Sequence, residues 1–116
     1  MASPQDGSCT EFEPLIAEVI AARFDGDAAL YRAFAATCAL QFALDAAAGQ
    51  LACEAEDMAG LRRLAHDLKS ALHMLGHDSL SDLAAQVEDQ AAASDLRAAC
   101  KSWYLLHCAL LRLKAP

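Results

Sequence analysis

The stretch Leu61-Arg62-Arg63-Leu64-Ala65-His66-Asp67-Leu68-Lys69-Ser70-Ala71-Leu72-His73-Met74-Leu75-Gly76 decides how the chain folds. Leu61, Leu64, Ala65, Leu68, Leu72 and Leu75 step by threes and fours, which predicts one apolar stripe along an α-helix. At about 100° per residue, His66 points about 160° away from the direction of Leu68. Arg62, Arg63, Lys69, Ser70 and His73 are its neighbours on the opposite face. A single helical histidine is ordinarily a satisfied core residue. Here the phase turns it to water, among cations and small residues, as a nucleophile would be placed.

Outward from this stretch, the rest of the chain also reads as helix. Thr10 and Glu13 have the form of a capping box, and Pro14 is tolerable in a first turn. Phe12, Leu15, Ile16, Val19, Ile20 and Phe24 then predict a short amphipathic helix, which Asp25-Gly26-Asp27 stops. A long Ala-rich helix is expected from Asp27 to about Glu54, with apolar residues over more than one stripe. Gly49 is its weak point, where it could end or kink without changing the topology. The His66 helix should run from about Met58 to Leu75, closed by Gly76 in a left-handed conformation. Ser79 is expected to start the next helix, buried through Leu80, Leu83, Ala84, Val87 and Ala91. Ser94-Asp95 should cap a last one carrying Leu96, Ala99, Trp103, Leu106, Leu110 and Leu113. Loops this short make neighbours antiparallel. The expected fold is therefore all-α: an antiparallel up-and-down four-helix bundle with a short extra N-terminal helix. Residues 1–10 are expected to be flexible and 11–116 to form a single domain.

Composition agrees. Of 116 residues, 56% are hydrophobic and only 6% aromatic, which favours closely packed Ala- and Leu-rich helices over strands. No apolar run approaches the roughly 20 residues that span a bilayer, and the N-terminus lacks the pattern of a signal peptide, so a cytoplasmic location is expected. The net charge of −7 opposes attraction to nucleic acid or to anionic lipid. The five cysteines form no C-x-x-C pair; Cys38, Cys53 and Cys100 fall within helices, as small core thiols do.

The run His66-Asp67-Leu68-Lys69-Ser70, followed by Leu75-Gly76, resembles the signature of the histidine-containing phosphotransfer (HPt) domain. That signature is a His, Leu at plus two, Lys at plus three, a small residue at plus four and Gly at plus ten. The resemblance extends through Phe24-Asp25-Gly26-Asp27, Asp57, Leu80, Leu83 and Glu88, over most of the chain. It implies a relay of phosphoryl groups between receiver-domain aspartates of a hybrid histidine kinase or response regulator. His66 would be phosphorylated, and Lys69 would place an ammonium against the equatorial oxygens. Ser70 would donate a hydroxyl to those oxygens or simply be small enough to admit the receiver, and Gly76 would end the helix. Arg62, Arg63 and His73 would belong to the receiver-docking face. The resemblance also implies no cofactor in this chain, since Mg²⁺ comes with the receiver. With no nucleotide-binding loop, autonomous kinase activity is not expected.

Two features depart from the family pattern. Ser70 replaces the usual Gly at plus four with Ala71 after it, and His73 and His77 stand where small polar residues are common. His73 and His77 have a metal-ligand spacing, but Gly76 separates them, so no metal site is expected. His107 is expected to be partly buried and hydrogen-bonded. The alternative reading is an HPt-like helical adaptor that binds receivers or kinases without transferring phosphate; possession of both His66 and Lys69 favours transfer. A hydrolase is the weaker third, because no second group visibly orients a base and a bundle offers no obvious pocket.

Overall fold

A computed structural model describes residues 16–113, which form five helices. Residues 16–23 make α1, Ala28–Glu54 α2, Met58–Met74 α3, Asp78–Ala92 α4 and Leu96–Arg112 α5. The fold is the expected one. Helices α2 to α5 form the antiparallel bundle, each packed on the next and α5 back on α2, with α1 as the short extra helix. The Thr10–Glu13 box, Pro14 and the 1–10 segment lie outside the described residues.

Three joints of the same construction set the up-and-down topology. After α3, Gly76 takes φ +88°; its N–H donates to the His73 carbonyl (3.0 Å) and that of His77 to the Leu72 carbonyl (2.9 Å). These bonds satisfy carbonyls that the helix end leaves free. Glu56 and Ser94 hold the equivalent left-handed place after α2 and α5's predecessor α4, without the freedom of glycine. The residue that follows each joint opens the next helix. Asp57 and Asp95 do so by accepting the N–H of Gly60 (2.9 Å) and Ala98 (3.2 Å). Asp27 caps α2 in the same way.

One boundary expectation needs correction. α4 begins at Asp78 rather than Ser79, and its cap position is His77, which makes no side-chain cap bond. The turn that closes α3 ends at His77, whose carbonyl already accepts from Ser81 (2.9 Å), so Ser79 falls inside the first turn. Gly49 does not end α2, which continues to Glu54 as expected. It is buried because the Trp103 indole occupies the space where a Cβ would stand. The glycine serves close helix–helix approach.

The core is a single cluster. Leu61, Ala65, Leu68 and Leu72 of α3 are essentially inaccessible and meet Phe42 of α2, Val87 of α4 and Trp103 and Leu106 of α5. Phe24 sets its edge against Tyr31, at 5.4 Å and 86°, and so ties α1's end to α2. His107 meets expectation: half-buried, its Nδ1 donates to the Ala46 carbonyl at 3.2 Å. Cys38 is buried, and Cys53 meets Cys100 between α2 and α5. Burial first, then the neighbouring Cys100, pushes the Cys53 thiol up to about 12, so it stays protonated and unreactive at neutral pH.

The Gly49–Trp103 contact gives a prediction whose sign is informative. Helix propensity favours Gly49→Ala by about 1 kcal/mol. Overpacking against a rigid buried indole costs about 1–3 kcal/mol. Urea unfolding should show Gly49→Ala less stable than the wild type; a gain in stability would mean that α2 and α5 are not in close contact there.

Candidate functional site

Helix α3 buries Leu61, Ala65, Leu68 and Leu72, and that phase turns His66 outward, where its side chain keeps 59% of its accessibility. The α3–α4 hairpin then brings a group from a different part of the sequence beside it. His66 and Glu88 each lie eleven residues from His77, at the joint, so antiparallel packing sets them level. His66 Nδ1 is 2.9 Å from Glu88 Oε2, and Lys69 Nζ donates to Glu88 Oε1 at 2.8 Å. Ser81 Oγ donates to the Lys69 carbonyl at 2.9 Å, which fixes the two helices at this level.

The protonation pattern follows from chemistry. Glu88 is largely covered, with 16% of its side chain accessible, yet it remains a carboxylate. The Lys69 ammonium hydrogen-bonded to it outweighs the opposing effect of burial, and His66 adds to the pull, so its carboxyl is held below the ordinary 4.5. A carboxylate has no proton to give, so Nδ1 of His66 is the donor. In the neutral imidazole Nε2 then carries the free lone pair, at the exposed end of the ring. Lys69 has three N–H donors and spends one on Glu88, leaving the others for an anion at His66.

Around this centre, Arg62, Arg63, Asp67 and Ala59 join His66 and Glu88 in lining an open depression of about 380 Å³. The two arginines are thus beside the histidine, as their spacing predicts. Ser70 is exposed one turn after it. His73 is drawn towards the joint instead: its Nδ1 lies 3.4 Å from Asp78 Oδ1, and its carbonyl accepts from the Arg23 guanidinium of α1. His77 is half-buried; desolvation lowers its pKa, against a smaller opposing effect of Asp78. Gly76 touches Val19 of α1, and a Cβ there would collide with it. Among the described residues no three His, Cys, Asp or Glu side chains are grouped to hold a metal.

A second group orienting the histidine was not visible in the sequence, and the structure supplies one in Glu88. Together the two residues line an open depression rather than a closed pocket.

The family model described as Hpt domain matches residues 29–115, which takes in nearly all of α2 and the whole of α3 to α5. The chain belongs to the Hpt domain family. No curated protein and no solved structure matches it. Membership makes its function one of phosphotransfer in two-component signalling, and Hpt domains generally interact with receiver domains of kinases and response regulators. No helix of the described residues is long and apolar enough to cross a membrane.

The ion pairs of Glu88 predict a pH signature of stability. Its folded pKa is depressed, so its contribution is present above 4.5 and disappears as pH falls through the lower folded value. In urea melts, the stability lost by Glu88→Gln should be full above the ordinary carboxylate value of 4.5 and shrink steadily as the pH falls below it. A gap that persists or widens in acid would contradict the pairing.

Proposed function

We propose that this Hpt domain is a relay intermediate, accepting a phosphoryl group from one receiver aspartate at His66 and passing it to another. The observation that carries this reading is the His66–Glu88–Lys69 arrangement on the exposed side of α3. The Nε2 lone pair attacks phosphorus in line, an N–P bond forms, and the P–O bond to the receiver aspartate breaks, releasing a carboxylate. The Nδ1 proton stays on the ring throughout. The phosphorylated imidazole carries positive charge on its ring, which the Glu88 carboxylate offsets. Lys69 supplies an ammonium to the phosphoryl oxygens while it neutralises Glu88, and Ser70 offers a hydroxyl or simply clearance.

Arg62 and Arg63 line the depression and suit an acidic rim around a receiver's aspartate; His73, pinned near Asp78, contributes at the edge of the same face. Mg²⁺ belongs to the receiver in this scheme, and the chain needs no cofactor of its own. With no nucleotide-binding loop, it depends on a phosphorylated partner in the cytoplasm.

Transfer of label from phosphorylated receivers, in the presence of Mg²⁺, tests the proposal. The wild type should become labelled with an acid-labile, alkali-stable phosphate, and His66→Gln should take up none. Lys69→Ala should slow transfer by about 10-fold or more with helix content unchanged. Receivers that bind the folded wild type without labelling it would favour the adaptor reading instead.

A further inference from the structure

Helix α2 carries a second apolar face that the bundle does not use. Tyr31, Ala35, Cys38, Phe42, Ala46 and Gly49 face the core. On the opposite side, Leu30, Ala33, Thr37, Leu40, Leu44, Ala47 and Leu51 recur at alternating steps of three and four over about 32 Å of helix. That is the spacing of a coiled-coil seam. All seven are exposed: Leu40 keeps 75% of its accessibility, Leu44 66%, Leu51 64% and Leu30 53%. The flanking positions are uncharged, with Ala36, Ala43 and Gln50 along one side and Phe34, Gln41 and Ala48 along the other. A solvated helix face normally carries charge there.

We infer that this face pairs with the same face of a second copy of the chain, antiparallel, about a two-fold axis near Phe42. Three observations select that occupant. The first is register: antiparallel pairing sets Leu40 against Leu44 of the other copy, Thr37 against Ala47, and Ala33 against Leu51. Large residues meet at the axis, the small pair Thr37 and Ala47 flanks them, and large meets small at Ala33 and Leu51; the last step sets Leu30 beside Glu54, at the solvent-facing end of the helix. The second is charge. Two chains of net charge −7 repel unless their contact is uncharged, and this face is the uncharged one. Antiparallel pairing also brings Arg32 to the end where the other copy has Glu54 and Glu56, whereas parallel pairing sets like charges side by side. The third is area. The four leucines expose of the order of 400 Å² per copy, about twice that in a pair. With the alanines between them this approaches the roughly 1,200 Å² at which specific interfaces begin.

The contact is isologous and therefore closed at two copies. Since His66 lies in the α3–α4 groove and α2 turns this face away from α4, both phosphotransfer sites stay open in the pair.

Sedimentation equilibrium of the full chain, from about 1 µM to about 1 mM, tests the inference. The wild type should reach twice the chain mass. Leu40→Glu should raise the dissociation constant by at least about 100-fold, with helix content unchanged at so exposed a site. Leu44→Lys alone should do the same. The double variant Leu40→Glu/Leu44→Lys should recover the dimer, because the antiparallel register sets each Glu against the other copy's Lys. A wild type that stays monomeric throughout overturns the inference. So does a dimer that neither single variant weakens, which places the contact elsewhere. A double variant that remains monomeric overturns the antiparallel register.

Discussion

One carboxylate shared by an imidazole and an ammonium is the constraint on which the site depends. Glu88 accepts from His66 through one oxygen and from Lys69 through the other. Each bond restrains a side chain that would otherwise rotate freely on the surface of α3. An exposed histidine held by a single covered acceptor has a defined tautomer and a defined nucleophilic nitrogen. An exposed histidine without that acceptor has neither. The lysine matters twice, because it keeps Glu88 ionised and because its remaining donors face the same solvent as Nε2.

The bundle's part is to hold Glu88 at that level. Helices α3 and α4 are joined by Gly76 in a left-handed conformation, and the turn's two backbone bonds fix where α4 begins. Ser81 on the Lys69 carbonyl then locks the register one helical turn from the joint. Below them, Leu68 and Leu72 are anchored in the core against residues from the other helices. Sliding α4 by one residue would carry Glu88 about 1.5 Å along the axis and rotate it about 100° away from His66. The apolar interior thus sets a polar geometry at the surface. Arg23, reaching from α1 to the His73 carbonyl and lying 4.0 Å from Asp78, braces the joint from outside.

Much of this was legible in the sequence, and the limits have physical causes. The outward phase of His66 follows from Leu61, Leu68 and Leu72 alone, because a helix fixes direction once its buried stripe is known. The stop at Asp25-Gly26-Asp27 and the capping role of Asp95 were readable for the same local reason. The pairing of Glu88 with His66 is not local. Its only trace is the equal distance of both residues from His77, which becomes informative once the turn at Gly76 is known. The use of Gly49 was hidden more deeply, since nothing near it in sequence says that Trp103 will lie against it. Ala-rich α2 was readable as a helix with more than one apolar stripe, but packing had to show which stripe the bundle buries and which it leaves out.

The most direct test of the central claim is the position of the phosphate on the ring. Nuclear magnetic resonance of the phosphorylated protein, with nitrogen-15 in its histidines, distinguishes the two ring nitrogens of His66. If Glu88 holds the Nδ1 proton as the geometry requires, phosphorus will be bonded to Nε2, with Nδ1 still protonated. Phosphorus on Nδ1 would mean that the Glu88 bond is broken when the site works, and the role assigned to that carboxylate would be wrong.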